Sequence, residues 1–310
     1  MNPNSTESCG GLDRSLFGWS VLTCGLVHSL MTMFTGIVFG LLGKIYPAHI
    51  LFLGLAIADL GSLLNITWFG GICSLLETCP GVDISYITLN ITFIPGLYFQ
   101  IAIAFSRFLA LVFPLKYKSL LTKPVCYLIC GICFTLGISH TLITTLFPFF
   151  LFQHNPERCG YSHVNPSDPN LYIVSFHWII LEIATVGVCG TLYFAIAMFR
   201  RFSYFDSPSA QKAELKLTIA SAVNSGCLAL IIVMHNVLPL LFKDLHGFLI
   251  LSTNFWNILN AAVNPYLYWF LSDTFRKKYK SILGPKIIPV NENSLKQQGF
   301  TVQNTLTTGP

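Results

Sequence analysis

Seven stretches of this chain are each long and apolar enough to cross a bilayer, at about residues 19–42, 49–71, 84–112, 124–147, 171–199, 214–241 and 248–271. A membrane helix needs roughly 20 mostly apolar residues. The connections between the runs are short, and no soluble domain is inserted. Only 10% of the 310 residues are charged and 53% are hydrophobic, with a mean hydropathy of +0.64. A soluble domain carries about a quarter charged residues. The expected fold class is therefore an all-α membrane protein, a seven-transmembrane helix bundle embedded in the lipid bilayer.

Orientation follows from where the cations fall. With the N-terminus extracellular, the inner side receives Lys44, Arg107, Lys116, Lys118, Lys123, Arg200, Arg201, Lys212, Lys216, Arg276, Lys277, Lys278, Lys280, Lys286 and Lys296. Only Arg14, Arg158 and Lys243 remain for the outer side, as the positive-inside rule requires. Residues 1–18 are an extracellular tail with a sequon at Asn4, and without a separate signal peptide the first span serves as its own insertion signal. Residues 19–271 form the membrane domain. Residues 272–283 read as a short amphipathic surface helix, in which Asp273 is placed to cap, Phe275 and Tyr279 lie one turn apart, and the cations face anionic lipid. Residues 284–310 form a polar, disordered cytoplasmic tail. The plasma membrane is the expected location.

Several polar groups sit where lipid would make them costly. Asp59 lies mid-span, and an intramembrane carboxylate costs at least ~3 kcal/mol, so it must face the bundle interior or water. Asn260-Ala-Ala-Val-Asn264-Pro265-Tyr266-Leu-Tyr268 places a proline and two amides inside the last run, which reads as a packed hinge. Arg107, near the inner end of span three, could by itself be a flank whose long side chain snorkels to the boundary. Of ten cysteines, Cys24, Cys126, Cys130, Cys133, Cys189 and Cys227 lie in apolar runs and read as small packing residues. No metal-type cysteine pairing occurs, and no cofactor or nucleic acid is implied.

Arg107-Phe108-x-Ala110-x-x-x-Pro114-Leu115-Lys116-Tyr117, with Leu-Ala-x-Ala-Asp59 upstream and Asn264-Pro265-x-x-Tyr268 downstream, resembles the rhodopsin-like family of G-protein-coupled receptors over about residues 19–282. The resemblance implies a receptor that binds an extracellular ligand and activates a heterotrimeric G protein, and not an enzyme. By resemblance, Arg107 would touch the G protein, Pro114 would end span three, Asp59, Asn260 and Asn264 would form a polar core, and Tyr268 would swing inward on activation. The family's disulfide would join Cys79 to Cys159, with Cys9 and Cys73 as competitors. Departures are many. Ser106 replaces the usual acid before the arginine, span one lacks a Gly-Asn pair, and span four lacks its tryptophan. Span five has no proline, span six has no Cys-Trp-x-Pro, and Gly96 stands where a serine helps bind sodium, which disfavours a sodium site. This divergence is most similar to the invertebrate chemosensory receptor groups, nematode-type ones in particular.

In the family the ligand pocket lies among the outer halves of spans three, five, six and seven. There the chain offers Asn90, His177, Trp178, Glu182, His235, Asn236, Asn254, Trp256 and Asn257. Glu182 serves a ligand contact or a structural hydrogen bond equally well. By the resemblance, Leu89 holds the place where amine receptors carry an aspartate and Ile258 that of the retinal lysine, in a span seven with no lysine, which disfavours an amine and excludes a retinal Schiff base; the ligand the resemblance implies is a chemosensory cue or a peptide. The sequons at Asn65 and Asn90 fall in spans and are not expected to carry glycan. A transporter or channel is the main rival, and a receptor-shaped protein that no longer signals is the third reading. Against transport, the spans carry few charges and no repeat symmetry.

Overall fold

The computed structural model describes residues 8–9, 12–44, 46–76, 82–146, 152–155, 160–163, 169–202, 209–234 and 246–283. Helix α1 is Arg14–Gly43; α2, His49–Ile66, runs on through a π-helical turn, Thr67–Ile72, into α3, Cys73–Leu76. Then come α4 Val82–Val112, α5 Pro114–Leu120, α6 Lys123–Leu146, α7 Pro169–Phe202, α8 Ser209–Ile232, α9 His246–Leu271 and α10 Asp273–Leu283. By length and apolarity α1, α2 with α3, α4, α6, α7 and α8 can each cross a membrane. With α9, 26 residues long, they are spans one to seven of a multi-pass helical bundle. Two short antiparallel hairpins accompany it: β1 Ser8–Cys9 with β2 Leu12–Asp13, and β3 Phe152–Asn155 with β4 Gly160–His163.

The ends of the helices follow local chemistry. Span one starts at Arg14, five residues before its apolar run, because the Asp13 carboxylate accepts from Leu16 N at 2.7 Å and caps the first turn. Span three stops at Val112; Phe113 leaves helical geometry and Pro114 opens α5 in the position where a missing N–H costs nothing. At α10 the expected cap is corrected. The Ser272 hydroxyl accepts from Phe275 N at 3.2 Å, and Asp273 is the first helical residue, where its charge suits the helix dipole.

Span two, packed between spans one and three, is more deeply buried than spans one, three, four, five and six, while spans four and five turn most of their surface outward. Lipid gives helices no hydrophobic reason to associate, so close approach at small residues matters. Gly54 lies against the Phe99 ring, Gly137 against Pro95, and Gly25 against Thr67, so tightly that a Cβ at any of them would collide. The main apolar cluster gathers at the end of the bundle that carries Arg107, around Phe39, Phe52, Phe99, Tyr268 and Phe275. A second, around Phe17, Val21, Leu63 and Ile258, lies toward the opposite end.

Candidate functional site

Asp59 of span two and Asn264 of span seven meet at the bundle centre. The Asn264 amide donates to the Asp59 carboxylate at 2.8 Å, and both side chains are buried. Because Pro265 follows, this bond sits where span seven has lost a backbone donor. Asn260, one turn earlier, is buried on the same side. Asp59, Asn257 and Asn260 line a cavity of about 20 Å³ together with Ser62, Thr92, Gly96 and Gln100, space for about one water molecule. A second cavity of about 10 Å³ lies among Gln100, Tyr193, Ser221, Asn224, Ser225 and Tyr268. Gln100 borders both, and Ser225 donates to it at 3.5 Å. Sequence reasoning missed Gln100 and Tyr193. A glutamine in the middle of span three was the signal that could have found the first.

Arg107 does not snorkel. Its side chain is 1% exposed and turned into the bundle. It donates from Nε to the Ser106 hydroxyl at 3.3 Å and from a terminal nitrogen to the Tyr117 hydroxyl at 3.5 Å, and it lies over the Phe52 ring, 5.4 Å from the centroid. A guanidinium is drawn to the negative face of an aromatic ring. Tyr117 is delivered by α5, the short helix that Pro114 begins, so Ser106, Arg107, Pro114 and Tyr117 form one local unit. Tyr268 is 2% exposed and held among rings, at 4.9 Å from Phe39, 5.1 Å from Phe52 and 6.2 Å from Phe275. Phe39 and Phe52 escaped notice because a phenylalanine in an apolar run looks like any lipid-facing one.

A further tie joins spans one and seven. His28 Nδ1 lies 2.6 Å from the Cys24 carbonyl, so that nitrogen carries the proton and Nε2 accepts from the Tyr266 hydroxyl at 3.2 Å. Beyond span seven, Asp273 of α10 pairs with Lys216 of span six at 2.8 Å and with Arg276 of its own helix. Those two partners, Lys216 foremost, hold the Asp273 carboxyl below the usual carboxylate range.

The family model for 7 transmembrane receptors of the rhodopsin family matches residues 42–268, most of the chain. The chain belongs to the rhodopsin family of seven-transmembrane receptors. A crystal structure of squid rhodopsin superposes with a TM-score of 0.72 at 15% identity, covering 87% of this chain and 80% of that one, a likeness of fold.

Of the pocket candidates in this family member, Asn90 is buried on span three, and Glu182, Trp256 and Asn257 are half-buried on spans five and seven. Asn257 faces the Asp59 cavity. The side chains of His177, Trp178 and Asn254, and residues His235 and Asn236, lie outside the described residues, as do Asn4, Cys79, Cys159 and the tail after Leu283. The sequon at Asn65 is occupied by protein: its amide donates to the Gly61 carbonyl at 2.8 Å, and its oxygen accepts from Thr88 at 2.6 Å. Cys73, at the end of span two away from Arg107, is disulfide-bonded, while the six cysteines within the spans are free thiols.

Proposed function

We propose that this protein is a plasma-membrane receptor, N-terminus extracellular and C-terminus cytoplasmic, that takes an extracellular ligand and activates a heterotrimeric G protein. The observation that carries it is the Asn264–Asp59 bond at 2.8 Å, which places the proline hinge of span seven against span two inside a rhodopsin-family bundle. Asn260 extends this polar core. Ser106, Arg107, Pro114 and Tyr117 are then the coupling unit, and Pro265 with Tyr268 the moving part. Asn90, His177, Trp178, Glu182, His235, Asn236, Asn254, Trp256 and Asn257 are the ligand-pocket candidates, for a chemosensory cue or a peptide. The rhodopsin-family match over residues 42–268 supports a receptor over a transporter.

A ligand screen in cells lacking native receptors, read by second messenger, tests this. Wild type is expected to respond to at least one ligand class, and Arg107→Ala at equal surface density is expected not to. Equal responses from both would end the coupling reading. An Asn4 glycan and a Cys79–Cys159 bridge belong to the same outward-facing assignment. Cys73 is already bonded and six of the ten cysteines are free thiols, so Cys79–Cys159 requires Cys9 as the partner of Cys73. Geometry favours that pairing: β1 ends at Cys9 just before span one, whose Gly18 packs on Gly71 and Leu75 beside Cys73. Non-reducing peptide mapping should give Cys9–Cys73 and Cys79–Cys159. Cys73 linked to either Cys79 or Cys159 would overturn both pairings.

A further inference from the structure

Arg107 and Tyr268 come from different spans and share no hydrogen bond, yet both rest on the same side chain. The Arg107 guanidinium lies over the Phe52 ring at 5.4 Å, and the Tyr268 ring meets Phe52 at 5.1 Å with planes 73° apart. Phe52 is itself 1% exposed and stacks on Phe39 at 5.3 Å, so it has little freedom to follow either neighbour if that neighbour moves. Ser106 and Tyr117 offer the guanidinium neutral hydrogen-bond acceptors, and the ring adds an electrostatic hold of its own.

We propose that Phe52 is a positioning residue that keeps Arg107 and Tyr268 buried together, so that release of one loosens the other. An arginine at 1% exposure cannot meet a partner protein. It must first leave the ring, and when it does the packing that Phe52 shares with Tyr268 loses one of its sides. Conversely, withdrawal of Tyr268 opens one side of the Phe52 site and weakens its grip on the guanidinium. Phe52 thus supplies restraint on the arginine where Ser106 brings no charge. This deepens the receptor reading and rests on it.

The test replaces Phe52 with mono-, di- and trifluorophenylalanine, which drain the negative ring face while nearly keeping its shape. Two readouts are taken: the thermal midpoint of purified receptor without G protein, and ligand-independent nucleotide exchange on an added G protein. The midpoint should fall stepwise with fluorination, and exchange should rise about two- to tenfold from phenylalanine to trifluorophenylalanine. In an Arg107→Ala background the midpoint should no longer grade with fluorine. A midpoint that is flat across the series, or that grades equally without Arg107, overturns the proposal even if Phe52→Leu misfolds. A graded midpoint that disappears in Arg107→Ala, with no exchange from any form, supports the Phe52 contact and removes the coupling reading instead.

Discussion

Ser106 works in two directions within the turn that carries Arg107. Its hydroxyl donates to the Ile103 carbonyl at 2.9 Å and accepts from Arg107 Nε at 3.3 Å. Ser106→Asp would give up the first bond and turn the second into a charge-assisted one, roughly twice as strong. Ligand-independent nucleotide exchange should then fall about two- to fivefold at matched surface density, the effect of the ~1 kcal/mol by which a charge-assisted hydrogen bond exceeds a neutral one. Unchanged exchange would mean that Ser106 plays no part in holding Arg107. At this scale the sequence is legible where lipid makes a residue expensive. Asp59 and Asn264 announce themselves by charge and by proline, and they meet. The direction of Arg107 is not legible, because a cation at a helix end suits water and a protein interior equally well until Phe52 and Tyr117 are placed around it. Phe52 carries no mark at all, since its partners Arg107 and Tyr268 come from other spans, 55 or more residues away, and its neighbour Phe39 from span one.

Between elements, spans three and four touch where Gly137 faces Pro95. A Cβ on Gly137 would come within 2.4 Å of the proline ring and 2.9 Å of its backbone nitrogen, and a backbone atom cannot move aside cheaply. Gly137→Leu should cost about 1–3 kcal/mol and lower the thermal midpoint of the purified protein. Gly131→Leu on the same helix meets nothing within 4 Å and should change stability by under about 0.5 kcal/mol. If the two variants melted alike, the contact between spans three and four would be looser than described. The seven helices were readable because bilayer thickness sets their length, and the surface helix because its apolar and charged residues separate by face. Their ends were less so. Asp13 starts span one early, and Ser272 takes the cap expected of Asp273 because either short polar side chain can serve there. Neither hairpin was anticipated, since strands of two to four residues leave almost no periodic trace.

For the molecule as a whole, the pair between Lys216 and Asp273 fastens span six to the helix that follows span seven. The Asp273 carboxyl is held below its ordinary range, first by Lys216, so the contact contributes above the unfolded carboxylate value of about 3.9 and is lost as pH falls through the lower folded value. A probe pair at Val125 and Ile219, both exposed, should report a longer distance in Lys216→Glu than in wild type. That difference should hold steady from pH 5 to pH 8 and shrink only below about pH 4. A difference that varied between pH 5 and 8 would assign the fastening to another group. The π-helical turn at Thr67–Ile72 bears on how this molecule is set beside its relatives. Such a turn takes in one residue more than an α-helical turn, and each residue of an α-helix rotates the chain by about 100°. Counting outward from Asp59 as though span two were uniform therefore lands about one position off beyond Ile72. The residue then compared with Cys73 points a quarter-turn or more away, and a bonded cysteine looks like an unpaired oddity. Superposition must restart at Cys73, with the two halves of span two treated as separate rulers.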